Sequence, residues 1–278
     1  MPNEIPPDPS LIGFHGLALL RAWPYTTRAD VDRHLEAIRR LLDEDDGSAE
    51  LEVLAVAEAY AAWAPVYDEQ PNSLLDAEAV AVRRAIEAVP IGGLAVDVAC
   101  GTGRVTSMLV DAGWRTVGVD ASEAMLEIAR AKGVAARFEL GSLDAIPVAD
   151  GEADLVTCAL ALTHVEQLAG PIRELARIVR DGGAVVLSDI HPTAVTLGAH
   201  AFFRDADGRR LVTRNHLHGV GEYVEAFSSA GLAIVSCEEP PFSEASLEVI
   251  PSDEVREVLR DAAVGLPFAL VWRLDKRA

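Results

Sequence analysis

The sequence predicts an α/β protein in which helices cover both faces of a doubly wound sheet. Short runs of apolar and β-branched residues alternate with segments whose apolar residues recur at helical spacing, which is typical of parallel sheets. One run, Leu94–Val98, leads directly into glycines and then into a helix with a single apolar face. The chain has 278 residues and half of them are apolar, which suffices for one such domain with an extension.

The segment from Leu94 to Arg104 indicates where a ligand binds. It consists of a buried strand, a turn containing two glycines and the start of a helix, with the sequence Leu-Ala-Val-Asp-Val-Ala-Cys-Gly-Thr-Gly-Arg. Glycine lets the backbone approach a ligand closely, and the first turn of a helix leaves N–H groups free to bind it. A nucleotide-binding loop is therefore predicted.

Two details of this loop distinguish between nucleotides. A dinucleotide fingerprint has a third glycine three residues after Gly103, where this chain has Thr106. Asp97, near the end of the strand, would repel a pyrophosphate but suits a cationic amino-acid group. Both details favour S-adenosylmethionine over a nicotinamide dinucleotide as the cofactor.

The segment Val96–Gly103 resembles the first motif of class I S-adenosylmethionine-dependent methyltransferases, with alanine where that family usually has its first glycine. The resemblance covers about residues 58–275. It implies a Rossmann-like sheet of about seven strands whose last strand is antiparallel. The positions in this motif that the resemblance places at the cofactor are Asp97, Ala99, Gly101 and Gly103.

Polar residues follow the next two predicted strands. Asp120 ends the second strand, where an acid in a doubly wound sheet accepts hydrogen bonds from both ribose hydroxyls. The alternative for Asp120 is an interaction with the dipole of the next helix. After the third strand, the family usually has an acid that contacts the adenine amino group, but this chain has Ser142 there. The cofactor contacts expected in these two loops are Asp120, Ala121, Ser142 and Leu143.

An aromatic stripe precedes the first strand of the sheet. Tyr60, Trp63 and Tyr67 share one face of a helix that is predicted from Leu51 to Ala64, and such stripes are usually part of a core. The pattern Tyr-x-x-Trp-Ala-x-x-Tyr-Asp also resembles the segment that closes over cofactor and acceptor in small-molecule methyltransferases. We expect Tyr67 at the cofactor, with core packing as the alternative.

Two histidines are candidate general bases. His164 follows the fourth predicted strand and His191 follows the fifth, at the edge where open α/β sheets bind ligands. Imidazole has an ordinary pKa near 6.5 and accepts a proton near neutrality. If the acceptor carries a proton, we expect His191 to remove it, with Asp189 orienting the ring. The alternative is that His191 caps the turn before Pro192.

The sequence pattern also divides the chain. Residues 1–56 are predicted to form a helical extension, with disorder over residues 1–10, and residues 57–278 the methyltransferase domain. A β-hairpin inserted at about residues 191–220 is expected to shape the acceptor pocket. The helix that follows Thr27 has an apolar face, which packs on the chain's own core, on a second copy in a homodimer, or over the site.

Composition excludes several partners. There are 44 acidic and 24 basic residues, and the net charge of −20 opposes binding to nucleic acid. The longest apolar stretch is shorter than the about 20 residues that span a bilayer, and the first residues do not resemble a signal peptide, so we expect a cytoplasmic protein without membrane contact. The three cysteines predict reduced, buried thiols, and His216 and His218 lack a third ligand, so no metal is expected.

The expected function is transfer of a methyl group from S-adenosylmethionine to oxygen, nitrogen or carbon of a small molecule by in-line displacement. Two other classes remain open. An NAD(P)-dependent oxidoreductase would need a tyrosine-lysine pair or an equivalent acid, but the chain has two lysines, Lys132 and Lys276, and neither lies beside a loop tyrosine. A non-catalytic cofactor-binding scaffold or sensor would lack acceptor-side groups, against which His164, His191, His216 and Tyr223 argue.

Overall fold

The structure, a computed structural model, describes residues 9–43 and 52–277. The helices are α1 (Pro9–Ala22), α2 (Arg28–Asp43), α3 (Val56–Trp63), α4 (Ser73–Glu87), α5 (Arg104–Asp111), α6 (Glu123–Ala131), α7 (Ala169–Ile178), α8 (Pro192–Thr196), α9 (Val220–Ser229) and α10 (Asp253–Ala262). The strands are β1 (Glu52–Leu54), β2 (Leu94–Val98), β3 (Arg115–Asp120), β4 (Ala136–Leu140), β5 (Ala153–Ala159), β6 (Val179–Ile190), β7 (Ala201–Arg204), β8 (Arg210–Thr213), β9 (Leu232–Glu238) and β10 (Ala269–Lys276).

The chain forms two compact units. The larger comprises Glu52–Pro240 and Pro267–Ala278, and the smaller comprises Met1–Leu51 and Pro241–Leu266. The domain boundary predicted between residues 56 and 57 stays a prediction. No helix in the described ranges is both long and apolar enough to cross a membrane.

The larger unit is built on a seven-stranded sheet in the order β4-β3-β2-β5-β6-β10-β9. The neighbours from β4 to β6 pair in parallel, and β10 is antiparallel to both β6 and β9. The predicted Rossmann-like sheet with an antiparallel last strand is therefore confirmed. From β2 the chain proceeds to β3 and β4 on one side and then to β5 and β6 on the other, so a crevice opens where the carboxyl ends of β2 and β5 meet.

Strand β2 forms because its side chains can be buried on both faces of the sheet. All five of its residues are buried. Val96 and Val98 enter an apolar cluster with Ile172 of α7 and Phe227 of α9, whereas Ala95 enters the cluster on the opposite face with helices α4 and α5. This alternation follows from the period of two in a strand, and it explains why the run is almost continuously apolar.

A second, three-stranded sheet has the order β1-β8-β7. The predicted hairpin is confirmed as the antiparallel pair β7 and β8, and β1 adds to it in parallel through Val53 opposite Val212. The helix predicted from Leu51 is therefore wrong over Glu52–Leu54, which are extended, and the helix begins at Val56. Local spacing favoured a helix, but pairing with a distant strand determines the conformation.

The aromatic stripe connects α3 to this small sheet. Trp63 stacks on Phe203 of β7 with ring centroids 4.5 Å apart and an interplanar angle of 5°. Both side chains are buried, and they share an apolar cluster with Leu211. For Trp63 the alternative of core packing is thus correct, and the hairpin and the aromatic stripe form one packed layer.

In the smaller unit, α1 contacts both α2 and α10. Arg21 of α1 donates to the carbonyl of Ala262 at 2.8 Å, and Arg33 of α2 pairs with Asp261 at 3.0 Å. The sequence did not predict α1, because this helix is apolar around most of its circumference and shows no single apolar face. Its first two residues belong to the stretch that was predicted to be disordered, and for them that prediction is wrong. The rest of that stretch lies outside the described residues. The predicted helix after Thr27 is confirmed, and a homodimer contact through these helices stays a prediction.

The cysteines agree only in part with the expectation of buried thiols. Cys100 and Cys158 are buried, but Cys237 is exposed. Cys237 lies on β9, the edge strand of the large sheet, where four consecutive residues are exposed. An edge strand has a neighbour on one side only, which the local sequence did not indicate.

We predict that Gly118→Ala destabilises the larger unit by about 1–3 kcal/mol, the usual cost of overpacking. A Cβ at Gly118 would lie 2.7 Å from Cδ1 of Phe138 and 3.0 Å from Sγ of Cys100, beneath the loop after β2. Gly92→Ala is the matched control, because no atom of the described residues lies within 4 Å of its added Cβ. Urea denaturation measures both, and equal stabilities for the two variants would contradict the prediction.

Candidate active site

The loop between β2 and α5 contains three residues in the left-handed backbone conformation. Their φ angles are +56° at Ala99, +55° at Gly101 and +85° at Gly103. Glycine adopts this conformation without strain, whereas alanine loses roughly 1–2 kcal/mol. The left-handed backbone at position 99 therefore favours glycine. Ala99 adopts the same conformation here, but with backbone strain.

The backbone at Gly101 is open toward the crevice. A Cβ built there would meet no atom of the described residues within 4 Å. At Gly103, in contrast, an added Cβ would touch Ala129 and Phe138 at 3.5–3.6 Å. The loop therefore presents main chain at Gly101 and packs against α6 and β4 at Gly103.

Asp120 joins the loops that follow β2 and β3. One carboxylate oxygen accepts from the Gly101 N–H and the other from the Ser122 N–H, both at 2.8 Å. Burial raises the pKa of this carboxyl, and the N–H groups of Ser122, Gly101 and Ala121 act in the opposite direction. Each oxygen retains a lone pair at the edge of the crevice. Asp120 is thus placed as predicted, with exposed Ala121 beside it, and ribose binding stays a prediction.

Asp97 lies below the glycine loop and is only 1% exposed. Its two oxygens accept from the hydroxyls of Thr106 and Thr157, each at 2.7 Å. Burial raises its pKa to about 6, although both threonines lower it. In this arrangement Asp97 holds α5 and β5 against β2, and its predicted contact with a cationic group stays a prediction.

An ion pair that the sequence did not indicate lies beside the glycine loop. Arg104, the first residue of α5, donates to Glu78 of α4, which is completely buried. Burial raises the pKa of Glu78, and Arg104 and the Ser188 hydroxyl lower it. The sequence contained a signal for this site, because Glu78 falls on the inward face of α4 with Val82 and Ala85.

This pair has hydrogen-bonding capacity to spare. Within the described part of the chain, Nη1 of Arg104, Oε2 of Glu78 and the hydroxyl of Ser188 are all buried without a hydrogen-bond partner. Buried polar atoms are normally satisfied, so these atoms are candidates for contact with a bound water or ligand. An α-amino acid end has groups that match two of them in kind, since a carboxylate accepts from Arg104 and an ammonium donates to Glu78.

The residues after α3 are fastened to the glycine loop through Asp68. Its carboxylate accepts from the Thr102 hydroxyl at 2.8 Å and pairs with Lys132 at 2.7 Å. Tyr67 is half-buried, its ring centroid lies 4.7 Å from that of Trp63, and burial raises its pKa. Tyr67 therefore stands beside the glycine loop, and its contact with a cofactor stays a prediction.

The loop after β4 supplies the other residues expected at the cofactor. Ser142 is exposed, and its carbonyl accepts from the Ala145 N–H at 3.1 Å. Leu143 is half-buried and packs on the main apolar cluster. Both follow β4 at the same edge as Asp120, which is compatible with the predicted adenine side of the site.

His164 forms a hydrogen bond with Tyr60. The Tyr60 hydroxyl lies 2.8 Å from Nε2 of His164, and Nδ1 donates to the carbonyl of Arg214 at 3.3 Å. Because a carbonyl only accepts, Nδ1 carries the proton, so in the neutral ring Nε2 accepts from Tyr60. Burial lowers the pKa of His164, which favours this neutral form.

His191 does not have the geometry expected of a base. Its Nδ1 accepts from the Thr193 N–H at 3.1 Å, and its Nε2 lies 2.9 Å from Oε1 of Glu239. Since Nδ1 is an acceptor, Nε2 carries the proton and donates to Glu239, so neither nitrogen has a lone pair for a substrate. His191 thus caps α8, the alternative left open by the sequence, and a base role for Nδ1 would require its bond to the Thr193 N–H to break.

Asp189 does not orient His191. Its carboxylate accepts from the Tyr223 hydroxyl and from the Ile190 N–H, each at 2.8 Å. Asp189 is completely buried, and burial raises its pKa to about 7. The period-two spacing placed Asp189 and His191 at the same strand end, but their side chains bind different partners.

The histidines of the inserted segment do not form a metal site. Nε2 of His218 lies 2.8 Å from the carbonyl of Val165, to which it donates. Over residues 9–43 and 52–277, no group of three or more histidine, cysteine, aspartate or glutamate side chains is arranged to hold a metal ion.

Comparisons with known proteins agree with this geometry. A family model described as a methyltransferase domain matches residues 96–187. The chain is 33% identical over 135 residues to a demethylmenaquinone methyltransferase of Renibacterium salmoninarum, which covers 47% of this chain and 56% of the relative. It is 28% identical over 117 residues to a malonyl-[acyl-carrier protein] O-methyltransferase of Serratia marcescens, and the match covers 42% of this chain and 46% of the relative. The chain spans about half the length of the curated relatives it matches.

The fold has a counterpart among solved structures. An S-adenosylmethionine dependent methyltransferase from Mesorhizobium loti superposes with a TM-score of 0.56 at 26% identity, covering 72% of this chain and 98% of that one. The residues matched by the family model include the end of β2 from Val96, the glycine loop, Asp120 and His164. Tyr67 and Glu78 lie before the matched residues.

We predict opposite effects for two substitutions in the glycine loop. Ala99→Gly removes left-handed strain and should stabilise the larger unit by about 0.5–1 kcal/mol, and Gly101→Ala introduces it and should destabilise by about 1–2 kcal/mol. The two φ angles differ by 1°, so each variant controls for the other. Chemical denaturation measures both, and a stabilising Gly101→Ala would contradict the assignment of strain.

Asp189→Asn should change how stability depends on pH. The pKa of Asp189 is raised from 3.8 to about 7, so between these values the folded protein holds a proton that the unfolded chain releases. The contribution of Asp189 to the free energy of unfolding therefore falls as pH rises from about 4 to about 7. Asn removes this contribution, so the free energy of unfolding of the variant relative to the wild type should rise over that range. Asp144→Asn, an exposed control, should retain the original slope in urea titrations, and equal slopes for the two variants would refute the prediction.

Proposed function

Because this chain carries a class I S-adenosylmethionine-dependent methyltransferase domain, we propose that it transfers a methyl group to oxygen, nitrogen or carbon of a small-molecule acceptor. The relatives named above are a demethylmenaquinone methyltransferase and a malonyl-[acyl-carrier protein] O-methyltransferase. Both names support methylation of a small organic group. The net charge of −20 supports an acceptor other than nucleic acid.

One observation carries the proposal. The open backbone at Gly101, held by Asp120, lies next to a buried ion pair whose spare donor and acceptor match an α-amino acid end. A nicotinamide dinucleotide has no such group, whereas S-adenosylmethionine has one beside a ribose and an adenine. Arg104 and Glu78 would hold the amino-acid end, and Asp120 would accept from the ribose hydroxyls.

When bound, S-adenosylmethionine supplies a methyl group on a positively charged sulfur. The chain's own residues then have three tasks. The glycine loop and Arg104 fix the position of the bound molecule, since an in-line displacement depends on orientation. Tyr60 of α3 and Tyr67 after it exclude water from the crevice. A base removes a proton where the acceptor carries one.

We propose that His164 is the histidine that receives the proton of the acceptor. Support comes from its lowered pKa, which keeps the ring neutral, and from Nε2 being bonded to a side chain rather than to a helix terminus. His191, the first choice from the sequence, has both nitrogens engaged at the start of α8. The base role thus moves from the end of β6 to the end of β5.

Calorimetry tests the cofactor assignment. We expect S-adenosylhomocysteine to bind and NADH not to bind. Asp120→Ala should weaken S-adenosylhomocysteine binding by about 1.5–3 kcal/mol, the range for hydrogen bonds to a charged group. Asp144→Ala makes the same charge change on an exposed residue at the same sheet edge and should leave affinity unchanged.

Three results would count against the proposal. Binding of NADH without S-adenosylhomocysteine would favour an oxidoreductase. Unchanged affinity in a folded Asp120→Ala variant would remove Asp120 from the site. Tight cofactor binding without methyl transfer to any acceptor would favour the non-catalytic sensor.

A further inference from the structure

Tyr60 and His164 form a directed hydrogen-bond chain in the larger unit. The Tyr60 hydroxyl donates to Nε2 of His164 at 2.8 Å, and Nδ1 of His164 donates to the Arg214 carbonyl at 3.3 Å. Tyr60 sits on α3, His164 ends the short 3-10 helix Leu162–His164 that follows β5, and Arg214 comes directly after β8. Three elements that are distant in sequence therefore fix the direction of one hydroxyl hydrogen, and the hydroxyl oxygen keeps its lone pairs for another donor.

The hydrogen bond to His164, which follows β5, places the Tyr60 hydroxyl near the carboxyl edge of the large sheet. Asp120 and Asp189, at the carboxyl ends of β3 and β6, are both close enough to contribute to its raised pKa, of which burial is the largest cause. Strands β2 and β5 lie between β3 and β6 in the sheet, so the hydroxyl is above the point where open α/β sheets bind ligands.

The surroundings of the hydroxyl select among acceptors. The rings of Trp63 and Tyr67 lie 5.8 and 6.4 Å from that of Tyr60 and provide flat apolar surface. The carboxyl groups of Asp120 and Asp189 act electrostatically on the Tyr60 hydroxyl, and negative charge on them disfavours an acceptor that is already an anion. A deprotonated amine already presents its lone pair, so it makes no use of the Tyr60–His164 hydrogen bond. A neutral, flat molecule with an acidic O–H or C–H uses the apolar rings, avoids the charge of the carboxyl groups and gives its proton to the hydrogen-bond chain.

We propose that Tyr60 is a catalytic residue that takes the proton from a phenol or enol acceptor and passes its own proton to His164. This inference rests on the proposed methyl transfer. As the bond between the acceptor oxygen or carbon and the methyl carbon forms, the sulfur–carbon bond of the cofactor breaks and its electron pair stays on sulfur. The acceptor proton moves to Oη of Tyr60, and the Tyr60 proton moves to Nε2 of His164. The positive charge thus passes from sulfur to the imidazole, which later releases the proton to water.

The two side chains have different roles in this step. Tyr60 touches the acceptor, whereas His164 acts through Tyr60 and is a positioning residue and proton store. Burial raises the pKa of the Tyr60 hydroxyl, so Tyr60 does not hold a negative charge and must pass its own proton to His164 as it takes the acceptor proton. In the neutral ring of His164, Nε2 has the lone pair that receives this proton.

The test uses methyl-labelled S-adenosylmethionine and four probe acceptors with the full-length chain. The probes are 1-naphthol, 4-nitrophenol, benzylamine and benzoate. We expect methylation of the two phenols, with little or none of the amine or the carboxylate. Tyr60→Phe should slow single turnover on 1-naphthol by about 100-fold or more, the lower end of general-base effects, with S-adenosylhomocysteine affinity unchanged within about two-fold.

The acidity of the probe separates catalysis from packing. The compound 4-nitrophenol is a stronger acid than 1-naphthol and needs less help to release its proton. In assays below neutral pH, where it is mainly un-ionised, Tyr60→Phe and His164→Gln should slow its methylation by less than about ten-fold. Tyr25→Phe is the matched control, because it removes the hydroxyl of a residue in the smaller unit that is 90% exposed. It should behave like the wild type. If Tyr60→Phe fails to fold, His164→Gln carries the same comparison with Tyr60 intact.

The outcomes separate the two proposals. Failure of the wild type to bind S-adenosylhomocysteine would overturn the proposed function itself. Normal binding without methylation of either phenol would overturn only the acceptor class. Equal losses on both phenols in folded variants would overturn the proton relay and leave Tyr60 as a packing residue.

Discussion

The buried carboxylate of Asp97 determines the geometry on which the site depends. It lies in β2 and accepts one hydroxyl from α5 and one from β5, so three elements converge on a single side chain. Burying the charge is unfavourable, as its raised pKa shows, and the two hydroxyls offset part of that cost. Because α5 begins at Arg104, this interaction also sets where the glycine loop ends and where the guanidinium of Arg104 lies.

Above the loop, the site is completed by segments that come together only in the folded chain. Strands β1 and β8 pair although more than 150 residues separate them, and α3 follows directly from β1. The stacked rings of Trp63 and Phe203 join α3 to the hairpin. The insertion and the segment before the large sheet therefore act as one structural layer, and a change in either would be felt by Tyr60 and His164.

The sequence was sufficient where local pattern and tertiary environment agree. The glycine turn and the strands of the large sheet were predictable, and Asp120 lies where a strand-end acid was expected. Three of the failures have a common cause, since β1, Glu78, and the Tyr60–His164 bond depend on partners far away in the chain. For His191 the sequence placed the residue at the correct sheet edge. It could not show that a backbone N–H and Glu239 occupy both ring nitrogens.

The contact between Asp68 and Lys132 makes the attachment of the segment after α3 sensitive to its surroundings. Both side chains are partly exposed, at 42% and 34%, so dissolved salt screens their attraction, whereas the hydrogen bond from Thr102 to the same carboxylate is less affected. The chain has two lysines, and the other, Lys276, donates to the carbonyl of Val179. An amine-reactive reagent therefore has two side-chain targets, and the rate at which it modifies Lys132 reports how often the segment after α3 separates from the glycine loop.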